Sequence, residues 1–71
     1  MKPEQAAMLG YGNRVRVDPK YHPRPGQMVR GEVTVFDCKP DSRAMGRYTA
    51  IVADQDGRHV PIDAHWLEYA R

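Results

Sequence analysis

The side chains with the clearest binding chemistry are arginines and aromatic residues in the first two thirds of the chain. Arg14 and Arg16 alternate with valines, and Tyr21 stands between Lys20 and Arg24. A guanidinium group is planar and suits phosphate, carboxylate and stacking contacts, and an aromatic ring in a basic setting can stack on a base or pack on a peptide. We therefore select seven candidate binding residues: Arg14, Arg16, Tyr21, Arg24, Arg30, Phe36 and Arg47.

The charge of the chain is modest and unevenly distributed. The net charge is +2, yet residues 1–36 hold six basic and three acidic side chains, while residues 37–71 hold five basic and six acidic ones. Any cationic surface must therefore come from the first half. A pI of about 8.9 is below the strongly basic range of dedicated nucleic-acid binders. This balance favours a protein partner over nucleic acid, which stays as the alternative.

No residue pattern identifies a reaction, a metal or a cofactor. His22, Cys38, His59 and His65 lack the paired spacing of zinc ligands. The close carboxylates of Asp54 and Asp56 are explained by turn formation. Phosphate-binding loops, nucleotide fingerprints and a Ser-His-Asp arrangement are absent from the sequence. We therefore predict a non-enzymatic protein with no cofactor.

The strongest structural signal is a β-hairpin between Gly46 and Ile62. A run rich in β-branched and aromatic residues, 47–53, meets the turn-forming sequence 54–57, and a second apolar run with Val60 and Ile62 follows. Residues 63–67 are suited to one 3₁₀ turn capped by Asp63, and residues 67–70 to a short closing strand.

The residues before this hairpin predict two further strands and a stiff loop. Alternation predicts a first strand over 14–17 and a second over 27–37, in which Gly31 indicates a bulge or sharp bend. Phe36 falls on the polar face of the second strand, which predicts a change of face near its end. Residues 18–26 contain three prolines and predict an ordered loop, and residues 38–45 a mobile one. Nine residues are expected to form most of the core: Val15, Val17, Val33, Val35, Ala50, Val52, Val60, Ile62 and Leu67.

Seventy-one residues suffice for one small domain. We divide the chain into an N-terminal arm, 1–11, which is helical or disordered, and an all-β domain, 12–71. Marginal size and the apolar Met8 and Leu9 predict self-association. The single Cys38 and the lack of a signal-peptide pattern or long apolar run predict a cytoplasmic protein without a membrane partner.

This order of elements resembles the SH3-like barrel superfold, which includes KOW, Tudor and related small barrels. The residues that carry the resemblance are Gly12 to Val17, Gly26 to Val33, Tyr48 to Val52, Asp56-Gly57, and Val60 to Leu67. The resemblance implies an all-β fold: a five-stranded SH3-like barrel with a 3₁₀ turn before the last strand. It implies architecture and leaves the activity open.

Residues 12–16 also look like the opening of plasmid-borne type II dihydrofolate reductases, small SH3-like barrels that assemble as tetramers around a central pore. Those enzymes carry a Val-Gln-Ile-Tyr run on the strand that lines the pore. The corresponding residues here are His59-Val60-Pro61-Ile62, without the Gln that contacts both ligands. A reductase-like oligomer is thus the remote alternative to a small protein-interaction adaptor and to a nucleic-acid-binding barrel with an arginine-rich strand face.

Overall fold

The computed structural model describes residues 1–70 and contains five strands, one short α-helix and one 3₁₀ turn. Arg71, the last residue of the predicted domain, lies outside the described residues. In chain order the elements are α1 (Pro3–Ala6), β1 (Arg14–Val17), β2 (Glu32–Pro40), β3 (Tyr48–Ala53), β4 (His59–Asp63), the 3₁₀ turn (Ala64–Trp66) and β5 (Leu67–Tyr69). No helical segment within residues 1–70 is long and apolar enough to cross a bilayer.

The strands form one antiparallel sheet in the order β4-β3-β2-β1-β5. The predicted content of five strands with a 3₁₀ turn before the last is therefore confirmed. β4 and β5 are the two edges of the sheet, which is open, so closure into a barrel stays a prediction. All nine predicted core residues are buried, and Ala6, Leu9, Val29 and Ala64 join them.

The central hairpin has the predicted form. β3 pairs with β4 from Thr49 opposite Asp63 to Ala53 opposite His59, and Gly57 takes a positive φ of 79° in the connecting turn. Valine, isoleucine and alanine alternate inward across both strands, so Ala50, Val52, Val60 and Ile62 pack in the core.

The boundaries of β2 differ from the prediction at both ends. The strand begins at Glu32, since Gly31 adopts a φ of 67° that extended backbone does not use. Residues 27–31 instead run beside the central turn, where the Met28 carbonyl accepts the Gln55 N–H at 3.0 Å. At its other end β2 continues through Pro40, opposite Tyr48, so part of the predicted mobile loop is strand.

β2 contains a bulge at Phe36, whereas at Gly31, where a bulge or sharp bend was predicted, the chain bends before the strand begins. Val35 pairs with Val52 and Asp37 with Ile51, which leaves Phe36 as the extra residue. Residues with odd numbers face the core before the bulge, as Val35 does, and residues with even numbers face it afterwards, as Cys38 does. A change of face near the end of β2 is therefore confirmed.

The N-terminal arm packs against the end of the chain and the end of β2. Its terminal amino group donates to the His65 carbonyl at 3.3 Å, the Tyr69 hydroxyl donates to the Gln5 carbonyl at 3.1 Å, and Leu9 is buried in the core. The 3₁₀ turn beneath the arm is capped as predicted, because the Asp63 carboxylate accepts the His65 N–H at 3.0 Å.

Candidate binding surfaces

β1 holds Arg14 and Arg16 on the outer face of the sheet. Both are exposed while the intervening Val15 is buried, as the alternation predicted. The Arg14 guanidinium donates to the Thr34 hydroxyl at 2.9 Å. Arg16 lies opposite Glu32 on one neighbouring strand and opposite Glu68 on the other. Since cross-strand neighbours of opposite charge attract, Arg16 is partly compensated and Arg14 is the freer cation of the pair.

The proline-containing loop is ordered and fixes the position of Tyr21. The Asp18 N–H donates to the Trp66 carbonyl at 2.8 Å, and the Tyr21 N–H donates to the Asp18 carbonyl at 2.9 Å. The side-chain oxygen of Gln27 accepts the Arg24 N–H at 3.1 Å. These bonds close the loop on itself and on the 3₁₀ turn, in agreement with the predicted stiffness.

Tyr21 forms a ridge between two open grooves. Its ring packs edge-to-face on Trp66, with ring centroids 5.6 Å apart. One groove, of about 610 Å³, is lined by Arg16, Val17, Asp18, Pro19, Tyr21, Val29, Arg30 and Gly31. The other, of about 320 Å³, is lined by Tyr21, His22, Arg24, Gln27, Thr49, Pro61, Ile62, Asp63 and Trp66. We call the ridge and its two grooves the Tyr21 surface; it brings together Arg16, Tyr21, Arg24 and Arg30 of the predicted binding residues.

Arg47 lies apart from this group. It lines a small pocket under the N-terminal arm together with Pro3 and Tyr48, and its guanidinium is 3.7 Å from the Asp63 carboxylate. Burial alone would raise the pKa of Asp63, but hydrogen bonds from His65 and the charges of His65 and Arg47 outweigh it and hold that pKa below its ordinary value. The charge of Arg47 is therefore partly compensated by Asp63.

Phe36 belongs to a second surface that the sequence did not indicate. At the bulge its ring meets Tyr11 edge-to-face, with centroids 5.3 Å apart, and His59 at a centroid distance of 4.1 Å. We call Tyr11, Phe36 and His59 the aromatic ledge. The three residues come from the arm, β2 and β4, so only the strand register and the bulge bring them together. The sequence did not indicate Trp66 as the support of Tyr21 either, because that contact joins a loop to a turn 45 residues later in the chain.

Besides Asp63, which lines the smaller groove of the Tyr21 surface, two titratable groups have altered pKa values, and both lie outside the two surfaces. Burial alone would raise the pKa of Asp54, but hydrogen bonds from the N–H groups of Arg58, Met28 and Asp56, together with the Arg58 charge, lower it overall. Burial, and then the charge of Asp37, raises the pKa of Cys38. Within residues 1–70, no group of three or more His, Cys, Asp or Glu side chains is placed to hold a metal ion.

β4 contains the run His59-Val60-Pro61-Ile62. Val60 and Ile62 point into the core, and His59 and Pro61 point outward. The outer face of β4 thus offers an imidazole and a proline ring. Comparison of the chain with protein-family models, with curated proteins and with solved structures found no match.

Proposed function

We propose that the chain is a small non-enzymatic adaptor whose Tyr21 surface binds an extended segment of a protein partner. The observation that carries the proposal is the ridge itself: an aromatic ring, supported by Trp66, separates two open grooves. Tyrosine gives a large, rigid contact area at little cost in conformational entropy. The loop bonds that hold Tyr21 reduce that cost further because the ridge is ordered before binding.

The shape of the Tyr21 surface suits a peptide in extended conformation. Side chains at positions i and i+2 of such a peptide point to the same side, about 7 Å apart. One can enter the groove beside Val17 and Pro19, and the other the groove beside Pro61 and Trp66. The peptide backbone then crosses the ring of Tyr21. The larger groove is mostly apolar, and the smaller one combines polar groups with the apolar surface of Pro61, Ile62 and Trp66. Aliphatic or proline side chains therefore fit at both positions.

The charges around the Tyr21 surface favour an acidic partner. Arg30 in the larger groove and Arg24 in the smaller one are the cations available to a partner, since Glu32 and Glu68 partly compensate Arg16. The Asp18 carboxylate already accepts the Lys20 N–H at 2.8 Å, and that of Asp63 accepts the His65 N–H. Carboxylates of a partner would thus meet arginines, whose paired N–H groups bind them in bidentate geometry.

We also infer an SH3-like architecture for this adaptor. The inference is supported by the antiparallel order β4-β3-β2-β1-β5 and by the 3₁₀ turn that immediately precedes the last strand. The chain departs from a plain five-strand barrel in its proline-containing loop, and it is this loop that carries Tyr21.

Selection from a display library of short random peptides tests the proposal. We expect enriched peptides to combine acidic residues with aliphatic residues or proline two positions apart. Trp66 is the only tryptophan and packs on Tyr21, so binding of a synthetic selected peptide should change its fluorescence emission. Tyr21→Ala should abolish most of this affinity.

Matched variants test whether peptide binding depends on the Tyr21 surface and not on another part of the chain. Tyr11→Ala removes an equally aromatic but remote side chain and should leave peptide affinity unchanged. Arg30→Glu should weaken binding of acidic peptides, whereas Arg43→Glu, in the loop between β2 and β3, should not. Arg30 is exposed, so its variant keeps the test valid even if Tyr21→Ala lowers stability. A selection without enrichment, or peptides that bind both Tyr21→Ala and Arg30→Glu as tightly as wild type, would refute the proposal.

A further inference from the structure

The aromatic ledge exposes more aromatic surface than the packing of the fold requires. Tyr11 is 80% exposed, and Phe36 is half-buried although it occupies the outer side of the bulge. The edge-to-face contact between them leaves ring surface open to solvent. His59, tilted by 37° against Phe36, extends the ledge toward the edge strand. A ring exposed to this degree adds little to stability, which favours a role in binding.

A cation lies next to the ledge. Arg14 is opposite Thr34 in the β1–β2 register, and Thr34 precedes Phe36 by two residues on the same strand. The hydrogen bond from the Arg14 guanidinium to the Thr34 hydroxyl holds the charge on the outer face of the sheet. The carboxylate of Asp37, the residue after Phe36, lies 3.5 Å from the Lys39 ammonium. The surroundings of Phe36 are therefore suited to an anion beside a planar ring.

We propose that the aromatic ledge binds single-stranded nucleic acid, with an unpaired base stacked on the exposed ring of Tyr11, which Phe36 supports, and a backbone phosphate contacting Arg14. Any base can stack on a flat aromatic ring, and an arginine beside the ring can neutralise the phosphate of the same nucleotide. Every nucleotide combines an aromatic base with a phosphate, whereas most peptide residues carry no aromatic ring, so the ledge suits a nucleic acid better. This surface is separate from the Tyr21 surface and does not depend on the adaptor function.

In this proposal Arg14 alone contacts a phosphate, whereas the sequence indicated Arg14 and Arg16 together. Arg14 and Arg16 are about 7 Å apart along β1, but Glu32 and Glu68 flank Arg16 and would repel a second phosphate. One phosphate contact and one or two stacked bases predict weak, sequence-tolerant binding with a shallow salt dependence.

Fluorescence anisotropy with labelled oligothymidine and oligouridine of about 12 nucleotides tests the proposal at low salt. Tyr11→Ala should weaken binding on the order of tenfold, and Tyr11→Phe should retain it. Arg14→Ala should weaken binding and reduce the slope of log affinity against log salt by about one. Tyr11 and Arg14 are both exposed, so neither variant is expected to unfold the chain.

Two controls distinguish stacking on the ledge from other modes of binding. An abasic oligonucleotide of the same length keeps the phosphates and should bind much more weakly than oligothymidine. Tyr21→Ala should bind oligothymidine like wild type, and bound oligothymidine should leave the Trp66 emission unchanged. Undetectable binding at low salt, full affinity of Tyr11→Ala, equal binding of the abasic strand, or loss of affinity in Tyr21→Ala would each overturn the proposal. None of these outcomes affects the peptide-binding test of the Tyr21 surface.

Discussion

Asp54 and Arg58 bond each other in both directions across the central turn. The Asp54 N–H donates to the Arg58 carbonyl at 2.9 Å, and the Asp54 carboxylate accepts the Arg58 N–H at 2.8 Å. The same carboxylate accepts the N–H of Asp56 at 2.9 Å and that of Met28 at 3.5 Å. One side chain thus closes the hairpin and fastens the segment before β2 to it.

The first prediction follows from this arrangement. Asp54→Ala leaves the N–H groups of Arg58 and Met28 without their acceptor, and Asp54 is only 6% exposed. We expect a clear fall in the urea midpoint. Asp56→Ala is the matched control, because Asp56 is exposed in the same turn, and it should change the midpoint little. Equal midpoints for the two variants would contradict the role assigned to Asp54.

The second prediction concerns acid stability. The pKa values of Asp54 and Asp63 are both lower in the folded chain than their ordinary value of 3.8. Between the folded and the unfolded pKa values the unfolded chain binds more protons, so protons favour unfolding. Stability should therefore be fully present above about pH 4 and fall as the pH drops below 3.8 through the folded values. Urea midpoints measured against pH should show a shallower acid decline in Asp54→Asn than in wild type. Parallel declines would contradict the lowered pKa of Asp54.

The strands and the segment before β2 differ in how well the sequence alone could predict them. Alternation located Val15, Val17, Val52 and Ile62 correctly because period-two burial is a local property of a strand. It assigned residues 27–31 to β2 because Val29 continues the same alternation. Val29 is indeed buried, but it is not part of the strand. It is held in place because its neighbour Met28 bonds to Asp54 in the central turn, 26 residues later in the chain.

The two proposed binding surfaces were less predictable than the core. Tyr21 and the arginines around it were selected from composition, but their convergence depends on the contact of the loop with Trp66, 45 residues later in the chain. The aromatic ledge depends on one extra residue in β2. A bulge shifts every later side chain to the other face, and only the complete register with β3 locates it.

The third prediction tests the N-terminal arm. Leu9 is buried against the core with 7% exposure, whereas its neighbour Met8 is 79% exposed. Leu9→Ala should lower the free energy of unfolding by about 2 to 3 kcal/mol through lost burial and a residual cavity. Met8→Ala should change it by less than about 0.5 kcal/mol. Chemical denaturation of both variants measures the difference, and similar values would mean that the arm is not docked in solution.

The fourth prediction is self-association. The sheet ends in two edge strands, β4 and β5, and the large apolar side chains of Met8 and Met45 are exposed. A chain this small gains stability by covering such surface. We expect a dimer or larger species at micromolar concentration in sedimentation velocity, weakened by Met8→Ala. An 8.1 kDa monomer at all accessible concentrations would contradict this prediction.

The last prediction concerns the reactivity of Cys38. Its thiol is half-buried and donates to the Ala6 carbonyl at 3.4 Å, and burial followed by the charge of Asp37 raises its pKa. A raised pKa lowers the fraction of thiolate, the form that reacts with alkylating reagents. Iodoacetamide at mildly alkaline pH should therefore modify the folded chain more slowly than the urea-unfolded chain. Leu9→Ala should speed the reaction of the folded chain, because the arm that covers the thiol is then held less firmly, whereas Met8→Ala should not. Equal rates in folded and unfolded wild type would show that neither burial nor the arm protects Cys38.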